Sequence, residues 1–203
     1  NISIDYGIRG PCFSVSSACA SGSDGIGMAW MMLRSGMIDV AIAGGSEATV
    51  TPVGVGAFDR ATAITRNPDW TSNPKPFDKN RDGLVMGEGA ALLVMETESH
   101  ARARGADILA ELAGWSSNSD GFHVTSPRED GSGGGMAILN ALDVAQVNKE
   151  EVGYINAHGT ATVMNDAAET TSLKYAFGED AYSIPVSSTK SMHGHPLGAG
   201  GGI

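Results

Sequence analysis

The sequence is poor in basic residues and in cysteine, and it has no long hydrophobic run. Its 203 residues include 13 Lys and Arg against 23 Asp and Glu, giving a formal net charge of −10. That balance disfavours nucleic acid or an anionic membrane surface as the main partner. Two cysteines, Cys12 and Cys19, are too few for a disulfide framework and predict a reducing compartment. No apolar stretch is long enough to cross a bilayer. We therefore expect a globular cytoplasmic protein.

Two further features are missing. Gly87-Glu88-Gly89 resembles part of a phosphate-binding loop, but no Gly-Lys-Ser/Thr follows, which argues against a P-loop. No initiator methionine precedes Asn1, and Gly198–Ile203 stops where a helix or strand should follow. We therefore expect a piece of a longer protein. What the sequence has in excess is glycine, with 28 residues, which indicates tight turns and close backbone approaches.

Hydrophobic patterning predicts an α/β fold with a largely parallel sheet. The predicted strands are 11–17, 39–45, 90–95, 108–115, a short run that leads into His158, and 184–188. The predicted helices are 22–36, 52–63, 99–104, a segment after Gly133–Gly135, and 165–177. In the first of these helices Ile26, Trp30, Leu33 and Met37 recur at helical spacing and predict a core-facing stripe.

Three of the predicted strands end in residues that can carry chemistry. Cys19, in Ser16–Gly22, lies where the first strand turns into a helix, so free helix N–H groups favour its thiolate. His158 follows a second strand, and Lys190 and His195 follow the last one. Residues just past parallel strands collect at one edge of a sheet. A thiolate there is a nucleophile for acyl groups, and two imidazoles can donate hydrogen bonds to a developing oxyanion.

Other interpretations of these residues stay open at this point. A lone cysteine is more often a buried structural residue than a nucleophile. A cysteine protease also needs one Cys and one His with an orienting partner. His158, His193 and His195 offer nitrogen ligands for a metal, although no carboxylate motif completes a zinc site. His123 is best explained as a loop histidine that forms hydrogen bonds.

Three motifs together resemble the Cys-His-His signature of the elongating β-ketoacyl-acyl carrier protein synthases, which belong to the thiolase-like superfamily. The motifs are Ser17-Ala18-Cys19-Ala20-Ser21-Gly22, Asn156-Ala157-His158-Gly159-Thr160 and Lys190-Ser191-Met192-His193-Gly194-His195. The connecting sequence is also similar, at Ala43–Glu47, Arg81–Ala90 and Val124–Pro127. The resemblance covers the whole chain. It favours this family over thiolases, which use a second catalytic Cys, and over initiating synthases, which have Asn where His195 stands.

The resemblance implies a fold of mixed, largely parallel sheets layered with helices (α-β-α-β-α), incomplete at both ends. Residues from 1 to about 105 would end the N-terminal half, and residues from about 106 to 203 would begin the C-terminal half. It also implies an acyltransferase that condenses malonyl-acyl carrier protein with an acyl group carried on Cys19. His158 and His195 would assist decarboxylation and stabilise the enolate. No metal or redox cofactor is implied.

The resemblance implies supporting roles as well. Lys190 matches an invariant family lysine, and Asp166 and Glu169 match the acids that hold it. Thr125, Thr160 and Thr162 match residues that touch the pantetheine arm, and Phe58 matches a residue of the acyl pocket. His193 departs from the family pattern, which has a small polar or aliphatic residue there.

The implied partners are acyl- and malonyl-loaded acyl carrier protein and a second copy of the chain in a homodimer, with neither nucleic acid nor membrane. The isolated 203 residues are expected to be inactive. Two alternatives remain: a ketosynthase domain of a polyketide synthase, and a non-catalytic ketosynthase-like partner subunit. The presence of Cys19 argues against the second, because such partners typically lack the nucleophile.

Overall fold

A computed structural model describes residues 2–203 as a mixed α/β protein. The helices are α1 (Ile2–Asp5), α2 (Ser21–Arg34), α3 (Pro52–Arg60), α4 (Glu98–Ala103), α5 (Ser132–Ala145), α6 (Val163–Phe177) and α7 (Lys190–His193). The strands are β1 (Val40–Glu47), β2 (Gly89–Glu96), β3 (Ile155–Asn156) and β4 (Val186–Ser187). Short 3₁₀ turns cover Ala18–Ala20, Lys149–Glu151, Gly178–Tyr182 and Leu197–Ala199. Within residues 2–203, no helix combines the length and apolar character needed to cross a membrane.

Contacts divide the chain into two compact units. The first contains the described residues up to Ser46 together with Ala90–Glu111 and Leu197–Ile203, and the second contains Glu47–Gly89 and Leu112–Pro196. Both units therefore draw on segments that are distant in sequence. The division of the sequence into halves near residue 105 stays a prediction.

The first unit is organised around α2. Its buried face carries Ile26, Ala29 and Leu33 at helical spacing, and the helix packs against the turn Leu197–Ala199. Gly22 allows this contact, because a Cβ there would lie 2.9 Å from the Gly198 carbonyl oxygen. The predicted stripe is thus confirmed at Ile26 and Leu33. It is wrong at Met37, which follows the helix and is 68% exposed.

The second unit has its core between α5 and α6. Leu173, Ala176 and Phe177 on α6 form the buried centre. Apolar residues pack around them from α5 and from the segments that carry β3 and β4: Ile138, Leu139, Leu142, Val152, Ile155, Ala181 and Ile184. β3 pairs with β4 in parallel, with Ile155 opposite Val186. This pairing brings the chain after each strand, with His158 and Lys190, to the same end of the ladder.

The glycines at the start of α5 allow close packing against α6. A Cβ at Gly134 would lie 2.6 Å from Ser172 Oγ, and a Cβ at Gly135 would overlap the Tyr175 ring. The helix begins at Ser132, whose amide donates to Asp130 Oδ1 at 3.0 Å. The glycines therefore lie inside the first turns of the helix instead of preceding it, and what they permit is helix packing.

Two predicted strands are wrong. Residues 11–17 and 108–115 have no ladder partner in the part of the chain that the structure describes. Phe13 is 57% exposed and Leu109 is 96% exposed, so these apolar runs are not buried here. A strand needs a neighbouring backbone to satisfy its N–H and C=O groups, and apolar sequence alone does not supply one. The strand–helix–strand unit predicted around α2 is therefore seen only from α2 onward.

Candidate active site

Cys19 lies in a tight turn immediately before α2. The turn Ala18–Ala20 is a single 3₁₀ turn, and Ala18 has the left-handed backbone angle φ of 52°. Ser21 holds the turn closed, because its Oγ donates to the Ala18 carbonyl at 2.7 Å and accepts from the Ser17 amide at 2.9 Å. Cys19 itself is partly buried and forms no disulfide. The predicted position at a helix start is confirmed, and the predicted strand before it is not.

His158 lies in the loop after β3, and a half-buried carboxylate holds that loop. Glu169, two turns into α6, accepts from the His158 amide at 2.6 Å and from the Gly159 amide at 2.8 Å. On the other side, Ser188 Oγ donates to the Gly159 carbonyl at 3.0 Å. The loop therefore has both its donors and its acceptors satisfied by neighbouring elements, which fixes the direction of the His158 side chain.

His195 is positioned by backbone pairing with a distant segment. Its amide donates to the Val85 carbonyl at 2.7 Å, and its carbonyl accepts from the Gly87 amide at 3.0 Å, forming a parallel bridge with Met86. The His195 side chain is 1% exposed. Its ring meets the His158 ring edge to face, with centroids 5.3 Å apart and an interplanar angle of 86°. The two predicted imidazoles are thus adjacent.

Lys190 adds a buried positive charge beside this pair. It begins α7, is 6% exposed, and its amide donates to Ser188 Oγ at 3.3 Å. Burial, helped by the Lys190 charge, lowers the pKa of His158 to about 4. Burial also lowers the pKa of His195 to about 3, with further contributions from His158, Lys190 and His193. Both imidazoles are therefore neutral near pH 7, and each carries one N–H to donate.

The same partly buried surroundings shift the pKa of Glu169 upward, whereas they shift the pKa of the two histidines downward. Burial raises the pKa of its carboxyl group, and the neighbouring Asp166 charge adds to that rise. The two amide hydrogen bonds and the Lys190 charge lower it. The Lys190 charge thus acts on Glu169 as well as on both histidines, and the supporting role of this acid stays a prediction.

Asp166 binds groups from two other parts of the second unit, and its predicted role beside Lys190 stays a prediction. It is 1% exposed and accepts from the Phe77 amide at 2.7 Å and from Asn165 Nδ2 at 3.1 Å. Arg81 forms an ion pair with it, with Nε 3.5 Å from Asp166 Oδ2. Sequence reasoning missed Arg81 and Asn165. Arg81 lies in a charged, turn-rich segment that reads as solvated, and nothing in that pattern shows that one of its charges is buried.

The predicted pantetheine residues separate into two groups. Thr160 and Thr162 follow His158 directly, and their hydroxyls are 2.9 Å apart. Thr125 instead lies in an exposed loop, where its amide donates to His123 Nδ1 at 3.2 Å. The acyl-pocket candidate Phe58 is half-buried on α3. Thr160 and Thr162 therefore lie in the loop that carries His158. The pantetheine and acyl-pocket roles of all four residues stay predictions.

His193 is the residue that fits this cluster least well. It ends α7, and both of its ring nitrogens are buried without a hydrogen-bond partner among residues 2–203. Buried polar atoms usually have a partner, so this imidazole costs folding free energy. It also contributes to the low pKa of His195.

Two neutral imidazoles side by side, next to a buried ammonium, can stabilise negative charge on oxygen. Each donates through one ring nitrogen, and neither has to lose a proton to do so. Because the pair is largely removed from water, such hydrogen bonds are stronger than they would be in solvent. The second unit therefore has the chemistry of an oxyanion or enolate site.

Comparison with known proteins agrees with this chemistry. The family models for the N-terminal and C-terminal domains of β-ketoacyl synthases match residues 1–101 and 109–203. The chain is 47% identical to 3-oxoacyl-[acyl-carrier-protein] synthase 2 of Vibrio cholerae and 44% identical to that of Staphylococcus aureus, over its whole length in both cases. It covers 50% of each of these proteins, so the chain spans about half the length of the curated relatives it matches.

Solved structures give the same result for the fold. A β-ketoacyl synthase from Burkholderia phymatum matches with a TM-score of 0.92 and 43% identity, over 99% of this chain and 48% of that one. A type II polyketide ketosynthase, solved with its acyl carrier protein and bound to the hexaketide, matches with a TM-score of 0.96 and 38% identity. That match covers 100% of this chain and 50% of the other. The thiolase-like fold expected from the motifs is therefore confirmed, and the chain belongs to the β-ketoacyl synthase family.

Proposed function

We propose that the protein carrying this chain elongates acyl chains by decarboxylative condensation of malonyl-acyl carrier protein with an acyl thioester. The observation that carries the proposal is the edge-to-face pair of neutral imidazoles, His158 and His195. The nearby charge of Lys190 helps to keep both of them neutral. Curated relatives at 44–47% identity are named 3-oxoacyl-[acyl-carrier-protein] synthase 2, which supports the same reaction.

The first step is acyl transfer to Cys19. The thiolate attacks the carbonyl carbon of the incoming acyl thioester, and a tetrahedral oxyanion forms. The carbon–sulfur bond to pantetheine then breaks, and the pantetheine thiolate leaves and takes up a proton. The short turn at the start of α2 suits this role, because N–H groups at a helix start favour a thiolate.

The second step is condensation. The malonyl thioester loses CO₂, and the electron pair of the broken carbon–carbon bond forms an enolate. His158 and His195 each donate a hydrogen bond to the enolate oxygen, and a well-placed donor of this kind is worth about 3 kcal/mol. The enolate carbon then attacks the Cys19 thioester. The bond to sulfur breaks, and a 3-oxoacyl thioester two carbons longer remains on the carrier.

Acyl carrier protein as the partner, a homodimer and a cytoplasmic location are parts of this proposal. A related ketosynthase has been solved with its acyl carrier protein, which supports the first. Inactivity of the isolated 203 residues also stays a prediction.

The test uses the protein at its full natural length. Incubation with acyl-loaded carrier should add one acyl mass to the protein, as measured by intact mass spectrometry. Cys19→Ala should abolish the adduct. Cys12→Ala is the matched control, because Cys12 is the other cysteine of these 203 residues and is exposed, and it should keep the adduct. Malonyl-loaded carrier should then discharge the adduct as 3-oxoacyl-carrier.

The histidines need their own variants. His158→Ala and His195→Ala should still take up the acyl group but should lose at least 100-fold in condensation, roughly the loss seen when an oxyanion donor is removed. An adduct that persists in Cys19→Ala, or condensation that continues in both histidine variants, would contradict the proposal.

A second candidate is a polyketide ketosynthase that extends its product repeatedly. The match of TM-score 0.96 to a polyketide ketosynthase favours it. Supplying malonyl-carrier without reducing enzymes separates the two functions. A single added two-carbon unit indicates fatty acid elongation, and a series of products with several added units indicates polyketide synthesis.

A further inference from the structure

We propose that Arg81 is a positioning residue that fixes the Thr160–Thr162 turn, and with it the hydroxyl pair offered to the pantetheine arm. The pantetheine part of this inference rests on the proposed function, and the clamp itself rests on contacts within the second unit. The Arg81 side chain binds Thr162, Val163, Asp78 and Asp166, so its effect is exerted through the backbone it holds.

The Arg81 side chain makes four polar contacts within the described residues. Its Nε donates to the Thr162 carbonyl at 3.1 Å, and its Nη2 donates to the Val163 carbonyl at 2.7 Å. Its Nη1 donates to the Asp78 carbonyl at 3.0 Å, and its Nε is 3.5 Å from Asp166 Oδ2. The side chain is 16% exposed. A planar guanidinium can satisfy two carbonyls and a carboxylate together, whereas an ammonium is a point charge with a different geometry.

The Thr160–Thr162 turn contains an unfavourable backbone conformation, which its neighbours must stabilise. Ala161, between the two threonines, is fully buried and has a φ of 66°, which is costly for a residue with a Cβ. Its carbonyl accepts from the Gly83 amide at 3.1 Å. Arg81 and Gly83 therefore hold three successive carbonyls, those of Ala161, Thr162 and Val163.

The hydroxyl pair depends on this support. Thr162 Oγ1 lies 2.9 Å from Thr160 Oγ1, and it also accepts from the Asn165 amide at 3.4 Å as the N-cap of α6. A shift of the Thr162 carbonyl moves the same residue's hydroxyl and the start of α6. The charge of Arg81 neutralises Asp166, whereas the arrangement of its N–H groups holds the Thr162 and Val163 carbonyls.

These two contributions can be separated by substitution. Arg81→Lys keeps a positive charge near Asp166 but cannot reproduce the paired bonds to Thr162 and Val163. We expect its thermal unfolding to stay close to that of the unsubstituted protein. We expect the KM for malonyl-carrier to rise about ten-fold, the loss of roughly one hydrogen bond to a charged group, with kcat nearly unchanged. Arg66→Met is the control, because Arg66 is a 73% exposed arginine of the same loop region.

A second measurement does not require activity. Backbone amide exchange, followed by NMR or mass spectrometry, should accelerate in Ala161–Val163 in Arg81→Lys and stay unchanged there in Arg66→Met. Unchanged KM and unchanged exchange in Arg81→Lys would overturn the proposal, and so would a fall in kcat and melting temperature at constant KM. If the unsubstituted protein performs no condensation, the proposed function fails, and the exchange measurement alone decides whether Arg81 is the clamp.

Discussion

The carboxylate of Glu169 binds the backbone amide of His158, with Oε1 2.6 Å from the nitrogen. The other oxygen binds the Gly159 amide at 2.8 Å. Both oxygens therefore act as acceptors for one loop, and that loop carries one of the two imidazoles. The acid supports the His158 backbone and also lies within the field of Lys190.

Substituting Glu169 by Gln should loosen this loop. The amide NH₂ group cannot accept a hydrogen bond, so either the His158 or the Gly159 amide loses its partner. An unsatisfied buried donor costs about 1–3 kcal/mol in the free energy of unfolding. Urea denaturation should show that loss, and condensation should slow about ten-fold as the His158 ring becomes less well positioned.

Glu179→Gln is the matched control for this experiment. Glu179 lies just after the same helix but is exposed, so both stability and rate should be unchanged. Equal behaviour of the two variants would show that the carboxylate of Glu169 does not hold the loop.

The two imidazoles should make the folded state sensitive to acid. Their pKa values fall from 6.5 to about 4 for His158 and about 3 for His195. A pKa that is lower in the folded than in the unfolded protein contributes stability that is complete above pH 6.5 and is lost as the pH falls toward the folded value. For His158 this contribution is on the order of 3 kcal/mol. NMR titration of the ring protons should show no protonation of either residue near pH 6.5.

Lys190→Met tests whether the lysine charge contributes to these low pKa values. Removing the ammonium should raise the pKa of both histidines, because its charge opposes their protonation. The larger effect, burial, remains, so neither pKa should return fully to 6.5. An unchanged titration in Lys190→Met would show that the lysine charge does not reach the rings.

Position 18, in the turn before α2, should tolerate only residues that accept a left-handed backbone. Ala18→Val places a β-branched side chain at a φ of 52°, where such residues are strongly disfavoured. We expect a loss of about 1–3 kcal/mol in the free energy of unfolding and altered alkylation of Cys19 by iodoacetamide. Ala18→Gly should fold normally, since glycine adopts this conformation freely.

Ala20→Val is the control for the Ala18 experiment. Ala20 belongs to the same turn, is exposed and has a φ of −88°, so valine is acceptable there. If Ala18→Val and Ala20→Val unfold at the same denaturant concentration, the left-handed conformation of Ala18 is not what limits this turn.

Replacing His193 by Leu should stabilise the protein. The substitution removes two buried ring nitrogens that have no hydrogen-bond partner among residues 2–203 and keeps an apolar side chain of similar size. The expected gain is about 1 kcal/mol in the free energy of unfolding. His123→Leu should have the opposite effect, because His123 Nδ1 accepts from the Thr125 and Ser126 amides. A loss of stability in His193→Leu would show that this imidazole has a favourable role.

Most of the helices and the cluster of histidines were predictable because their signals are local. Periodic apolar residues predicted α2, helix signals with acids near the start predicted α6, and short apolar runs predicted β1 and β2 within one or two residues. The four-residue helices α1 and α7 were not predicted. The motif around Lys190 and His195, together with the run that leads to His158, placed these residues beside parallel strands. β3 and β4 do pair in parallel, which explains why that argument succeeded.

The features that sequence reasoning got wrong or missed depend on residues distant in sequence, which a local sequence pattern cannot reveal. Apolar runs at 11–17 and 108–115 are strands only if another backbone pairs with them. Arg81 lies in a segment of mixed charge, and its burial arises from the turn at Thr162, which is distant in sequence. The support of His158 by Glu169 likewise needed the three-dimensional path of α6.

The parallel bridge between Met86 and His195 has a consequence for how the protein folds. The two segments are far apart along the chain, so their pairing closes a long loop and costs chain entropy before any contact repays it. The position of His195 therefore depends on a long-range contact, and we expect it to form more slowly than local elements such as α6.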